Sequence, residues 1–354
     1  MRAWAAAVLV IIGCGTDPPV DTAPPPPFVE ASHPAPLAIP SAGGVVLVSP
    51  KIAVVTFAGY SFADSIEAMA DYVPTSQWLA AVSSEYGVGT PSVAAKVRLD
   101  EAAPVFTSAT AFAAWVTTQV PSLPPADFYA FVFPPGAEFS DPQIGALCNG
   151  FGGYHDAQGT SYTYAVVGTC GGADAAERVF SHELVEAMTD PFGTGFAARD
   201  PELPYTYVEG GELADVCDGV SSENGFTFAR SWSNVSAIAG RDPCQPTAST
   251  LYFNVSPSSL SVQHVAAGTS VTVELTGFST ASVSDWVLQD VPGRRDFLPQ
   301  VTIDTTEMNN GRTGAMTIAV PASAAPGSVA VFFLRSFHAG DAAYALQPVV
   351  VMAQ

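Results

Sequence analysis

Apolar residues in this chain come in short blocks separated by Pro, Gly and Asn, and the spacing inside each block predicts its form. Residues 45–48 and 51–57 are β-rich runs broken by Pro50. Helical spacing follows over 61–72 and 75–86, until Gly87-Val88-Gly89 breaks the chain. Thr107 or Ser108 can cap a further helix through Val120, with Phe112 and Trp115 on its apolar side. Residues 127–133 read as a buried strand between prolines, and 162–167 as another. Beyond Ser249 the pattern changes to short alternating runs at 251–255, 270–275, 286–288, 315–320, 329–334 and 347–351, separated by turn residues. The expected fold is therefore an α+β domain over 43–248, followed by an all-β, immunoglobulin-like sandwich over 249–354. No internal repeat stands out.

One helix carries the chemistry. Gly171-Gly172 and Pro191 bracket the stretch Ala173-Asp-Ala-Ala-Glu-Arg-Val-Phe-Ser-His-Glu-Leu-Val-Glu-Ala-Met-Thr-Asp-Pro191. Ala176, Phe180, Leu184, Ala187 and Met188 form its core face. His182, Glu186 and Asp190 recur at steps of four and make a polar stripe beside that face, with Glu183 next to it. Burying such a row is costly unless a metal or hydrogen bonds satisfy it.

At 354 residues the chain is long enough for two cores, and its formal net charge of −21 comes from 33 acidic against 12 basic residues. Nucleic acid and anionic lipid are thereby disfavoured as partners, since both require clustered Lys and Arg. Charged residues make up only 13 % and hydrophobic ones 48 %, a folded composition of the exported kind. Met1-Arg2, the apolar run 3–12 and Gly13-Cys14 read as a processed signal segment too short to span a bilayer. The string Ile11-Ile12-Gly13-Cys14 resembles a bacterial lipobox, which implies a lipoprotein signal peptide over 1–14 and lipidation of Cys14. Gly15, where inner-membrane retention would use Asp, implies the outer membrane or cell surface. Residues 15–42, rich in proline, are expected to be an extended tether. Lipid is thus the only membrane contact foreseen.

Export places Cys148, Cys170, Cys217 and Cys244 in an oxidising compartment, where three pairings are open. Neighbour pairing, Cys148 with Cys170 and Cys217 with Cys244, closes the short loops and is the expected one. No Cys-x-x-Cys spacing exists, which argues against a thiolate zinc site.

His182-Glu183-Leu184-Val185-Glu186 resembles the zincin motif His-Glu-x-x-His, with Glu in place of the second His. The wider string Ser181-His-Glu-x-x-Glu-x-x-Thr-Asp-Pro191 resembles a set of uncharacterised secreted bacterial proteins, and is distantly similar to the plant EXORDIUM or phosphate-induced family. Further matches are Ser84-Glu85-Tyr86-Gly87-Val88-Gly89, Cys148-Asn-Gly-Phe151-Gly-Gly-Tyr154-His155, Gly211-Glu212-Leu213-Ala214-Asp215-Val216-Cys217, Trp232-Ser233-Asn234 and Cys244. The resemblance implies a zincin-like domain in which His182 and Glu186 bind Zn²⁺ and Glu183 is the general base. Candidates for a third ligand are Glu212, Asp215, Asp190 and His155, in that order. His155 is alternatively a donor to an oxyanion. The activity implied is that of a monomeric surface metallopeptidase, a hydrolase of peptide or protein substrates.

Blander readings stand beside these. His182 could be a core histidine bonded to Glu186 or Asp190, and Asp190 could serve the helix end before Pro191. Glu212 and Asp215 could hold Ca²⁺, since oxygen ligands suit a hard cation. Trp232 and Phe151 are expected in the core, and His33, His264 and His338 have no partner pattern. Asn234-Val-Ser and Asn254-Val-Ser match glycosylation acceptors, which a bacterial lipoprotein rarely uses. On the non-enzymatic reading the protein is an envelope or matrix component for adhesion or signalling.

Overall fold

The computed structural model describes residues 27–247, 249–340 and 344–354, so the signal segment and Cys14 lie outside the described residues. The fold is mixed α+β with strand outweighing helix, 36 % against 19 %. No helix among the described residues is long and apolar enough to cross a membrane.

The N-terminal region is built on β1 (Lys51–Thr56), β2 (Ser92–Arg98), β3 (Phe128–Phe133), β4 (Gly153–Gln158) and β5 (Tyr162–Gly168). They form one sheet in the order β2-β1-β3-β5-β4. Four strands run parallel, and β4 lies antiparallel to β5 at the edge. A parallel strand is covered on both faces, and all six residues of β3, Phe-Tyr-Ala-Phe-Val-Phe, are buried. Ile52, Val54, Phe128, Ala130 and Val132 look into one core, shared with α1 (Ala63–Tyr72) and α2 (Gln77–Ser83). Ala53, Val55, Tyr129, Phe131 and Phe133 look into the other, closed by α3 (Ala109–Gln119) through Phe112 and Val116. Ser108 caps α3, its Oγ accepting from the Ala111 N–H at 3.0 Å.

The central helix α4 (Ala173–Thr189) lies on the α1–α2 side, and Ala176, Phe180, Leu184, Ala187 and Met188 all enter that core as the periodicity predicts. A hairpin of β6 (Val220–Glu223) and β7 (Phe226–Ala229) covers its flank. Ala229 N–H donates to Ser181 Oγ at 2.8 Å, and Thr227 N–H donates to Glu177 at 2.9 Å. The four cysteines pair as neighbours: Cys148–Cys170 and Cys217–Cys244, with Cα separations of 5.1 and 5.5 Å.

Four segments depart from the sequence reading. Residues 45–48 are not a strand: Gly44 N–H meets Thr194 O and Leu47 N–H meets Met188 O, isolated bonds that make no ladder. Strands β2 and β4 were not foreseen, the first being a half-exposed edge and the second having no β-branched residue in Gly-Tyr-His-Asp-Ala-Gln. Of the expected tether, residues 15–26 lie outside the described residues, while the later part straps the body. His33 stacks on Phe278 at 3.6 Å, and Ile39 is buried in the core with its N–H and C=O both held by Asn234.

The C-terminal region is all β: β8 (Phe253–Pro257), β9 (Gln263–Val265), β10 (Ser270–Ser279), β11 (Trp286–Arg295), β12 (Gln300–Ile303), β13 (Glu307–Met308), β14 (Thr313–Ala319), β15 (Val329–Phe337) and β16 (Tyr344–Ala353). They make two sheets, β8-β10-β14-β12 and β9-β16-β15-β11-β13, antiparallel throughout except where β9 runs parallel to β16. Leu275, Trp286, Ile318, Phe332 and Leu334 are among the residues of the core between them. The outer face of β15 is apolar as well. Val329 and Val331, with Val262 and Val350, meet Tyr207 of the N-terminal region. The two regions therefore share an apolar contact beside the loop that precedes Glu209.

Candidate metal centre

Helix geometry sets the first part of the site. One turn separates His182 from Glu186, so both side chains leave the same face of α4, toward a loop at 209–215. That loop is fixed from beneath. Leu213 and Ala214 are buried, Leu213 C=O accepts from Trp232 N–H at 2.8 Å, and Cys217 is tied to Cys244. Gly210 lies close against the Asp215 carboxylate. Its N–H donates to Asp215 Oδ2 at 2.8 Å, and a Cβ there would lie 2.6 Å from the same oxygen. Gly153 on β4 is needed where it stands, because a Cβ would lie 2.8 Å from Glu183 Oε1 and 2.5 Å from Val166 O.

Two overlapping groups of donors result, with Glu186 common to both. In the first, His182 Nε2 is 3.2 Å from Glu186 Oε1 and 3.3 Å from Asp215 Oδ1. Asp215 N–H donates to Glu186 Oε1 at 3.1 Å, which locks loop to helix. In the second, His155 Nδ1 is 3.6 Å from Glu186 Oε2, and His155 Nε2 is 3.7 Å from Glu212 Oε1. Glu183 Oε2 also lies 3.6 Å from His155 Nδ1. Donors on a tetrahedron with bonds of about 2.0–2.2 Å stand about 3.3–3.6 Å apart, so the spacing about His182 Nε2 and the mixed N and O donors of the first group fit a divalent cation.

The electrostatics are those of buried acids enclosing two imidazoles. Burial pushes the pKa of Glu186 up, but His182 and His155 outweigh it and bring it down to about 2. Burial raises Glu183 and is only partly offset by His155 and His182. Glu212 is pushed up to about 9, by burial first and by Glu186 and Asp215 against the pull of His155. Glu209, whose carboxylate faces the cleft although the residue as a whole is exposed, is pushed up to about 7 by desolvation and by Asp215. Burial would lower both histidines. The surrounding carboxylates more than reverse this and hold both rings well above the ordinary imidazole value.

The sequence candidates sort as follows. His182, Glu186 and Asp215 come together, so the carboxylate nearest the His182–Glu186 pair is Asp215 and not Glu212, the first-ranked candidate. Glu212 instead faces His155. That ring has a side-chain exposure of 9 % and is enclosed by Glu183, Glu186 and Glu212, a ligand's surroundings more than an oxyanion donor's. Asp190 stays out. It pairs with Arg199 and accepts from Gly195 N–H at 2.5 Å, which is the helix-end role. Trp232 is buried, whereas Phe151 packs on the second core and also lines the cleft. His33 and His264 have acidic partners after all, Glu30 at 3.2 Å and Glu202 at 3.0 Å, both remote from the centre. Glu209 was not singled out from the sequence; its place just before Gly210-Gly211, a turn that exposes its carboxylate to the cleft, is the local clue.

The centre opens into a cleft of about 1380 Å³ whose opposite wall is the C-terminal sheet, through Val331, Phe333, Arg335 and Tyr344. Tyr344 OH donates to Asp218 and closes one end. Arg335 stacks on Phe337 and Tyr344, with its guanidinium carbon 4.8 and 4.3 Å from the ring centres. No protein-family model matches the chain, and no curated protein is significantly similar to it.

Proposed function

We propose that this protein is a divalent-metal-dependent peptidase of zincin-like fold, exported and lipid-anchored through Cys14, with an immunoglobulin-like sandwich as the second wall of its cleft. The observation that carries the reading is the meeting of His182, Glu186 and Asp215 within 3.2–3.3 Å of one nitrogen, beside the buried carboxylate of Glu183. The similarity of residues 181–191 to secreted zincin-like proteins supports it, as does the strand order of the C-terminal sheets, which matches an immunoglobulin arrangement.

His182, Glu186 and Asp215 would hold the cation, Zn²⁺ by the mixture of imidazole and carboxylate donors. Bound there, it would polarise a peptide carbonyl and acidify water. Glu183 Oε2 would take the proton of the attacking water and return it to the departing amine. The unpaired outer edge of β4 would align an extended polypeptide beside the centre by main-chain hydrogen bonds. The cleft is wide enough for such a chain, and the apolar and aromatic groups of the sheet opposite would contact its side chains.

The test is Glu183→Gln in the full-length protein, assayed on an unfolded protein substrate with and without a chelator. Hydrolysis should be chelator-sensitive in the parent and lost in the variant while bound metal survives; undiminished hydrolysis by the variant ends the assignment. A structural Ca²⁺ site on a non-enzymatic envelope protein is the second reading, favoured by the excess of oxygen donors. The two imidazoles count against it, because Ca²⁺ takes oxygen ligands. Metal analysis showing calcium and no zinc would select it.

A further inference from the structure

A single cation at His182, Glu186 and Asp215 leaves the other half of the cluster without a purpose. We propose that the centre binds two divalent cations, bridged by Glu186, with the second held by His155 and Glu212. This rests on the hydrolytic reading for the first cation and adds a distinct site to it.

The geometry gives three reasons. Glu186 presents different oxygens to the two groups, Oε1 to His182 and Oε2 to His155. A carboxylate placed so can serve two ions about 3.5–4 Å apart, as in two-metal hydrolytic centres. His155, the only imidazole of the second group, is more than nine-tenths buried, yet its carboxylate neighbours stand at 3.6–3.7 Å, past hydrogen-bond length. Its single hydrogen bond among the described residues is a long one, Nε2 to Asp190 O at 3.4 Å. Donating there, a neutral ring turns its Nδ1 lone pair toward Glu186 and Glu183, so that either a second proton or a cation has to stand between them. Glu183, with 4 % side-chain exposure, likewise has no donor within hydrogen-bond distance among the described residues.

The charge count decides between one ion and two. Glu183, Glu186, Glu209, Glu212 and Asp215 all line the cleft, and among the described residues none of them pairs with Lys or Arg. Elsewhere Asp190 pairs with Arg199 and Asp242 with Arg230, and the buried Glu177 is answered by Ser65 Oγ and Thr227 N–H. With all five carboxylates ionised and both imidazoles neutral, the state that cation binding would draw out, one divalent cation leaves three negative charges unbalanced and two leave one. Uncompensated buried charge is expensive, so the second cation answers the larger part of the deficit.

The experiment is metal stoichiometry on the full chain, stripped with chelator, reloaded with Zn²⁺, freed of excess and measured by elemental analysis and calorimetric titration. The parent should bind two Zn²⁺. His155→Ala should bind one, and so should His182→Ala, each losing a different step of the titration. His155→Gln is the alternative if the alanine variant fails to fold, and the same loss is expected. Loading with Mn²⁺ should give a spin-coupled resonance in the parent and an isolated-ion signal in His155→Ala. One Zn²⁺ in both parent and His155→Ala, lost in His182→Ala, would overturn the second site and leave the hydrolytic reading intact. No bound Zn²⁺ at all would remove both.

Discussion

In the C-terminal sheets a buried group of neutral side chains answers itself: Ser336 Oγ donates to Asn254 Oδ1 at 3.0 Å, and Asn254 Nδ2 to Tyr252 OH at 3.1 Å. Helix α4 of the N-terminal region and the residue that ends it bury four carboxylates, those of Glu177, Glu183, Glu186 and Asp190. Two of these are structural. Glu177 accepts from Ser65 Oγ and Thr227 N–H, and Asp190 has Arg199 and Gly195. The other two have chiefly imidazoles and further acids around them. The lesson is that burial of charge does not by itself mark a site; burial answered neither by a fixed counter-charge, as at Asp190, nor by a set of neutral donors, as at Glu177, does.

The largest effect expected tests that distinction within one helix. Glu183→Gln should lower the hydrolytic rate by about 10²- to 10⁴-fold, the usual weight of a general base, while leaving the thermal midpoint level or higher. Glu177→Ala should do the reverse: turnover per folded molecule unchanged, and stability reduced by about 1–3 kcal/mol because Thr227 N–H is left unanswered. Rate assays and denaturant titrations on the pair decide it. A rate loss in Glu177→Ala equal to that in Glu183→Gln would erase the contrast.

The next comparison lies along a single strand. Phe332 of β15 points into the sandwich core and Val331 into the contact with Tyr207. Phe332→Ala should cost about 3–5 kcal/mol without changing metal stoichiometry, since its cavity opens in the sandwich core, on the other face of the sheet from the cleft. Tyr207→Ala should cost less stability but weaken cation binding about tenfold, because the turn Pro204–Tyr207 leads directly into Glu209. Equal cation affinity in parent and Tyr207→Ala would show that the sandwich merely adjoins the loop and does not brace it.

The disulfide at Cys217–Cys244 should contribute less. Replacing both cysteines by Ser removes a cross-link spanning 27 residues, worth about 2–4 kcal/mol, and frees the segment after Asp215. Calorimetric melts and Zn²⁺ titration should shift together. A melt that shifts alone would mean Leu213, Ala214 and the Trp232 bond suffice to hold the loop.

Much of the helix was legible because its information is local: the three-and-four spacing of Ala176, Phe180, Leu184 and Met188 fixes the buried face, and the His182–Glu186 step then fixes where those two point. The order of Glu212 and Asp215 was not legible. It depends on which way a loop turns, and that is set by the burial of Leu213 and Ala214 against Trp232, a contact distant in sequence. Strand β4, which delivers His155, was hidden because its Gly153 is there for clearance from Glu183 and not for strand propensity. Residues 28–42 misled for a different reason. Proline excludes helix but does not exclude packing, and Ile39 finds its place only through Asn234, nearly two hundred residues later.

The smallest effect concerns pH and again sets a paired carboxylate against the unpaired ones. Glu223, at the end of β6, accepts from Gln77 N–H at 2.8 Å and Trp78 N–H at 3.0 Å, the free donors at the start of α2, and from Tyr72 OH at 2.5 Å. Burial alone would raise its pKa, but these donors outweigh it and hold the carboxyl below the usual glutamate range. A depressed folded-state pKa means that the stabilisation is fully present above the unfolded-state value and is lost as pH falls through the folded-state one. Glu223→Gln should therefore lower stability at neutral pH by about 1 kcal/mol and flatten the acid limb of the stability curve. Denaturant midpoints of parent and variant should converge toward low pH, since protonation does to the parent what the substitution does at every pH. Curves that stay parallel down the acid limb would show that the hairpin is held to α2 by Trp78 Nε1 and Ala229 O, and not by the charge.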